Sequence, residues 1–206
     1  MSSHFLKAVL AAAVLAFLSA CSEAPKTPAE EKKAEEPKKA EPAAAQTAFF
    51  EMYKPARTWA KDLLVLTVAS NEIPGVNNED GKAAMWTAVF VSPSRREART
   101  FFWAMSDSGT TIHKGVSIGG AQTWTGETPK SQPFQVNEFA VNSDAAFKSA
   151  LVKAEPWLKK HPGVQPSFFL GKAARFPAPV WFIQWGTTKA GYLAIVNATT
   201  GDVLSK

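Results

Sequence analysis

The sequence has a single cysteine among its 206 residues, Cys21, so no internal disulfide can stabilise the fold. Histidine is almost as scarce: only His113 and His161 follow Cys21, too few for a histidine-based zinc site. No phosphate-binding glycine loop is present either, because Gly119 and Gly120 form an isolated pair. From these absences we expect a protein without a metal site or cofactor, which is not an enzyme and has no catalytic residues.

The apolar run near the N-terminus, Ala8–Leu18, is short. Its 11 residues fall well below the roughly 20 that a transmembrane helix needs. Lys7 precedes the run, and the small residues Ser19 and Ala20 follow it. A basic start, a short apolar core and small residues at a cleavage point are typical of a secretory signal.

Cys21 directly follows this signal, and Leu18-Ser19-Ala20-Cys21 resembles the lipobox of bacterial lipoproteins. The resemblance implies a signal peptide over residues 1–20 and a mature protein anchored to the membrane by acyl chains, palmitate among them, on Cys21. Ser22 stands where Asp would retain a lipoprotein at the inner membrane. We therefore expect a cell-envelope protein facing the periplasm, with the outer membrane favoured over the inner. The alternative is an ordinary buried cysteine.

The segment 21–46 changes composition abruptly to Ala, Pro, Lys and Glu and carries no aromatic residue. Such a segment cannot bury enough apolar surface to offset the entropy of ordering it. We predict a disordered tether, whose last 25 residues would span about 25–30 Å as a flexible coil. The folded remainder is mildly basic, with 17 Lys and Arg against 12 Asp and Glu from residue 47 onward. That charge is too dispersed for nucleic-acid binding.

An internal repeat organises residues 47–206. Glu97–Lys114 aligns without a gap on Lys189–Lys206, with Gly109 opposite Gly201, and Trp86 and Trp181 each begin an alternating apolar run. Upstream, two Pro-Gly pairs, at 74–75 and 162–163, follow segments that we predict as helices. These helical segments are 56–69, with Trp59–Leu66 at its centre, and 143–158, with Phe147–Ala154 at its centre. The predicted strands are 86–91, 100–105, 180–185 and 192–197.

The second copy resembles a PepSY-type domain, a small module in which a helix near Pro-Gly precedes antiparallel strands. The last hairpin of that family is similar to Ile195-Val-Asn-Ala-Thr-Thr-Gly-Asp-Val-Leu204, with Asn197 in place of the usual Asp. The resemblance implies an α+β fold of two tandem modules, each with one helix packed on an antiparallel meander of about three to four strands. We assign them to 47–118 and 143–206, with an ordered connector at 119–142. It also implies a binding or regulatory role, directed at a peptide, a peptidase or an envelope component.

The sequence leaves other roles open. A structural envelope protein without a discrete ligand is the main rival, and the oligomeric state is undetermined. A more remote alternative is a hydrolase whose triad comes from Ser106, Asp107, Ser108 and His113, but nothing resembles a nucleophile elbow and a turn explains the Ser and Asp residues without chemistry. Asn77–Gly81 offers oxygen ligands without the spacing of a calcium loop, and we expect His161 to interact with a helix C-terminus.

Aromatic residues pose the last question, because Phe102 and Phe182 adjoin Trp103 and Trp181 and so place large groups on both faces of strands. Either the two modules bury these second faces against each other, or a face stays open for a ligand. We favour the first arrangement, because duplicated one-sided modules have matching apolar faces.

Overall fold

The computed structural model describes residues 41–205 of the chain. Cys21, the signal peptide and residues 21–40 of the predicted tether lie outside these residues. The described part is α+β, as predicted, with two helices on one large antiparallel sheet. Its elements in chain order are β1 (Ala43–Ala44), α1 (Ala45–Trp59), β2 (Leu64–Asn71), β3 (Lys82–Ala83), β4 (Met85–Ser92), β5 (Glu97–Ala104), β6 (Gly115–Thr123), α2 (Ser143–Leu158), β7 (Pro166–Gly171), β8 (Val180–Trp185), β9 (Tyr192–Asn197) and β10 (Val203–Leu204).

Eight strands form the large sheet in the order β10-β9-β8-β7-β2-β4-β5-β6, and β1 pairs with β3 in a separate two-stranded ribbon. Each helix precedes a four-stranded meander: α1 comes before β2, β4, β5 and β6, and α2 before β7, β8, β9 and β10. The two meanders join edge to edge through their first strands, with Val68 opposite Leu170. One continuous sheet results.

The prediction of a helix over 56–69 is wrong. Helix α1 ends at Trp59, and Leu64–Asn71 is a strand in the middle of the sheet. The helix buries Ala48, Phe49, Met52 and Ala56, which lie on one face at helical spacing. Since its first residues belong to the alanine-rich run, the predicted tether boundary at residue 46 is also wrong. Pro74-Gly75 accordingly forms a turn after β2, and only the second Pro-Gly pair follows a helix.

Two tryptophan side chains hold the helix N-termini in the same way. The Trp86 Nε1–H donates to the carbonyl of Ala43 at 2.8 Å, and the Trp181 Nε1–H donates to the carbonyl of Val141 at 2.9 Å. Each acceptor lies two residues before the first residue of its helix. The two rings meet in the core, with centroids 6.3 Å apart. Both strands that carry these tryptophans were predicted correctly, and β8 matches the predicted 180–185 in full.

The start of α2 also caps α1. The Ala45 N–H donates to Ser143 Oγ at 2.8 Å, and the Ser143 hydroxyl donates to the carbonyl of Gly81 at 2.5 Å. The Gln46 N–H donates to the side chain of Asn142 at 2.9 Å. Ser143 is fully buried. Because the cap of one helix comes from the other half of the chain, the two halves share one core.

The helices cover only one face of the sheet. That face carries Trp86, Phe90, Phe101, Trp181 and Trp185, all buried in one core cluster with the two helices. Our expectation that the modules would bury their second faces against each other is wrong, because the meanders lie side by side. On the open face Phe169 is 43% exposed.

The predicted connector, 119–142, begins within β6 and continues to the start of α2. Phe134 and Phe139 are buried. Phe134 pairs with Val65 of β2 through two backbone hydrogen bonds of 2.8 and 2.9 Å. The connector thus runs along the seam where the two meanders meet, and it reaches the open face there.

Candidate functional site

The open face has a pocket at the seam between β2 and β7. Its floor is apolar and consists of Leu66, Phe169 and Phe182. The pairing of β2 with β4 shifts register between Val65 and Thr67, so Leu66 lies at a bulge. A bulge redirects a side chain relative to its strand, and here the redirected residue, Leu66, lines the pocket. We call this site the seam pocket; its volume is about 640 Å³.

Phe169 and Phe182 lie opposite each other on β7 and β8, with ring centroids 6.0 Å apart. Phe176, in the loop after β7, packs edge-on against Phe182 at 6.0 Å. Gly171 makes room for this group, because a Cβ there would come within 2.8 Å of the Phe169 ring. The floor is therefore a built aromatic cluster and not a single exposed side chain.

Two loops form the walls and are bonded to each other. The Gln132 N–H donates to the carbonyl of Lys172, and the Ala174 N–H donates to the carbonyl of Pro129, both at 2.9 Å. Thr128 and Ser131 close the first loop with reciprocal backbone hydrogen bonds of 2.9 and 3.1 Å. Because these bonds fix the wall, the pocket does not depend on a ligand for its shape.

The charged groups that line the seam pocket are all basic: Lys130, Lys172 and Arg175. Lys172 is neutralised by Glu138, with Nζ and Oε1 2.8 Å apart and both side chains largely buried. Lys130 and Arg175 form no ion pair with any of residues 41–205. The Arg175 guanidinium lies 4.6 Å from the Phe176 ring centroid. The pocket thus combines an apolar floor with two unpaired cations.

The hydroxyls of Thr67 and Ser131 complete the lining. Neither hydroxyl makes a hydrogen bond to another described residue. The backbone N–H of Ser131 donates to Thr128 Oγ1 at 3.1 Å. Two donors are therefore free to meet a polar ligand group at the edge of an apolar floor.

The residues of the remote hydrolase hypothesis lie elsewhere, in the turn between β5 and β6. His113 Nδ1 is 3.5 Å from Asp107 Oδ1, and both side chains are more than two-thirds exposed. Asp107 also accepts a hydrogen bond from the Lys114 N–H at 3.1 Å. Ser108 and Ile112 pair through their backbones, and neither Ser106 nor Ser108 bonds to His113 among the described contacts. The turn does not assemble a nucleophile with a base.

The other two candidate groups have structural contacts. His161 follows α2, stacks on Trp157 with centroids 3.9 Å apart, and places Nδ1 2.9 Å from the Trp157 carbonyl oxygen. Asn77–Gly81 forms the turn between β2 and β3, where Asn78 is buried and donates to the carbonyl of Pro166 at 3.4 Å.

Within residues 41–205, no group of three or more His, Cys, Asp or Glu side chains is placed to hold a metal ion. Neither described helix is long and apolar enough to cross a membrane.

Sequence reasoning found only part of the seam pocket. Phe182 was flagged by its position beside Trp181, but Phe169 and the three basic residues were missed. The signal for Phe169 was available, because Phe168 and Phe169 are adjacent in a strand and must point to opposite faces. The position of the basic residues depends on the loop pairing, which no local pattern encodes.

No family model matches the chain, and no curated protein is similar to it in sequence. Among solved structures, the fold is similar to that of a candidate lipoprotein from Clostridium difficile 630, at 10% identity and a TM-score of 0.44. The match covers 77% of this chain and 90% of the other. A likeness of this degree assigns neither a family nor a function to the chain.

Proposed function

We propose that this protein is a lipid-anchored cell-envelope protein whose folded part binds a peptide or protein segment without catalysing a reaction. The observation that carries the binding role is the seam pocket: exposed Phe169 and partly buried Phe182 form a floor between walls fixed by hydrogen bonds. Preformed concave sites with apolar linings and a few polar groups are the usual form of ligand sites.

The location rests on the sequence before the described part. The apolar run, Ser19-Ala20 and Cys21 support acylation of Cys21 and export to the envelope. Ser22 favours the outer membrane, with the folded part facing the periplasm. The Lys/Glu/Pro-rich residues that follow would separate the pocket from the bilayer.

We also propose that residues 43–205 derive from two tandem PepSY-like modules fused through their first strands. The repeated order of one helix and four strands supports this origin. The matching hydrogen bonds of Trp86 and Trp181 support it at atomic level, because the same side chain holds the same point before each helix. In this account the seam pocket arose at the junction of the two modules.

A structural role without a discrete ligand is the main alternative, and a hydrolase using His113 is the remote one. A structural role would not require an apolar pocket with unpaired cations. The hydrolase predicts that His113→Ala abolishes a measurable activity while the fold remains intact. The exposed contact of His113 Nδ1 with Asp107, together with the hydrogen bond from the Lys114 N–H to Asp107, favours a role in the turn instead.

The test uses mature protein, immobilised through its lipid, and peptides from a digest of envelope proteins. We expect wild-type protein to retain a peptide set that Phe169→Ala loses. The chain offers a matched control in Phe50, an exposed phenylalanine of α1 (49% exposed, against 43% for Phe169) that lies outside the pocket. Phe50→Ala should retain the wild-type set. If wild type and Phe169→Ala retain the same peptides, or neither retains any, the proposed binding role is wrong.

A further inference from the structure

We infer that the seam pocket binds the C-terminal end of a peptide, with apolar final side chains on the aromatic floor and the free carboxylate at Lys130 and Arg175. The inference rests on the proposed binding function and specifies its ligand class. It follows from three features of the pocket: its charge, its polar groups and its openness.

The charge of the lining selects an anionic ligand. No acidic residue lines the pocket, and Glu138 forms its ion pair with Lys172, not with Lys130 or Arg175. Lys130 and Arg175 line the pocket as exposed side chains and have no acidic partner among residues 41–205, so an anionic ligand group can pair with them. Arg175 is held over Phe176, which orders its guanidinium before a ligand arrives. An anionic group with an apolar neighbour complements this arrangement.

The polar groups select a peptide over a fatty acid. A peptide carries backbone N–H and C=O groups next to its last side chains, and each needs a hydrogen-bond partner on binding. The free hydroxyls of Thr67 and Ser131 can supply such partners. An acyl chain would leave both hydroxyls unused against apolar carbon.

The open side of the pocket also favours a peptide over a fatty acid. The floor extends over three strands, β2, β7 and β8, and Phe169 keeps 43% of its surface exposed. A single acyl chain is stabilised by apolar surface that encloses it along its length. A short segment with two apolar side chains instead fits a broad floor, and its upstream residues can leave through the open side.

The experiment compares hexapeptides ending in Leu, Val or Phe, each made as the free acid and as the C-terminal amide, binding to mature protein in detergent micelles. We expect the acids to bind about tenfold or more tightly than the amides, as expected for a charge-assisted contact. Arg175→Gln and Lys130→Gln should each reduce this preference, and together abolish it. Arg95→Gln is the matched control, because Arg95 lies exposed in the turn after β4 and outside the pocket.

Two results would overturn the inference. If acids and amides bind equally and Phe169→Ala weakens both, the pocket binds peptides but does not recognise the carboxylate. The inference is then wrong, while the proposed binding function is supported. If dodecanoate displaces the peptides and binds more tightly than any of them, the site belongs to acyl chains. Absence of any Phe169-dependent binding to peptides contradicts the proposed function itself.

Discussion

Gly81 is a residue at which the fold tolerates no side chain. Its φ is +77°, and a Cβ there would overlap the backbone of Ser143 and Asp144 at the start of α2. Gly75 has a similar φ of +82° but nothing within 4 Å of the added atom. An added side chain at Gly75 would therefore meet backbone strain alone, whereas at Gly81 it would meet both strain and steric overlap.

We predict that Gly75→Ala lowers the free energy of unfolding by about 1 kcal/mol through strain alone. Gly81→Ala should cost about 3 kcal/mol or more, because overpacking adds to the strain. Urea denaturation of both variants measures the difference. Equal costs would contradict the close contact between this turn and α2.

The ionisation of Asp62 is coupled to the fold. The Ser92 hydroxyl donates to its carboxylate at 2.6 Å and the Ser94 N–H at 2.8 Å, and these bonds lower the pKa of Asp62 from 3.8 to about 2. A lowered pKa in the folded state stabilises the fold at pH values above the unfolded pKa. That contribution is lost as the pH falls through the folded value.

We therefore predict that the stability difference between wild type and Asp62→Asn is constant near neutral pH and shrinks between about pH 4 and pH 2. Asn keeps an acceptor for Ser92 but cannot ionise, so it isolates the charge. Thermal unfolding across this pH range is the measurement. A difference that grows on acidification would contradict the assigned hydrogen bonds.

At the scale of elements, the two helix starts should respond alike to the same change. Trp86→Phe and Trp181→Phe each remove one indole N–H and leave a carbonyl, of Ala43 or Val141, without its donor. We predict a loss of about 1–3 kcal/mol in each case. Chemical denaturation checks both values. Destabilisation by only one of the two substitutions would contradict an equivalent role in the two halves.

Elements formed by local patterns were predictable. The strand Tyr192–Asn197 was predicted at its observed bounds, because alternating apolar residues are a property of neighbouring positions. The start of helix α1 was predicted wrongly because the alanines at its start resemble the alanine-rich segment before it, so the local composition does not mark the boundary. Proline is typical of the first turn of a helix, whereas Pro55 lies in the interior of α1, so it gives a misleading signal for the start of the helix.

Local sequence patterns could not predict the candidate site. It depends on the pairing of β2 with β7, whose partners Ala69 and Phe169 lie 100 residues apart in sequence. The expected face-to-face packing used the same apolar residues as the observed edge-to-edge sheet. Only the pairing decides which face stays open, and with it whether Phe169 is covered.

For the whole molecule, we propose a lipid anchor at Cys21 followed by a peptide-binding domain. We predict that Cys21→Ser moves the protein from the membrane fraction to the soluble fraction, since no acyl chain could then attach. The melting temperature should stay within about 1 °C of the wild-type value, because Cys21 precedes the packed residues. Membrane fractionation with a parallel melt measures both. A variant that remains in the membrane fraction would refute the lipid anchor.

The central claim is that the open face of the sheet binds ligand at the seam. Its most direct test is a backbone amide spectrum of isotopically labelled mature protein, titrated with a peptide retained by wild type. The account predicts the largest shifts at Phe169, Gly171 and Phe182, with the amide of Phe50 unchanged. Shifts confined to the helices, or to the turn that carries His113, would contradict it.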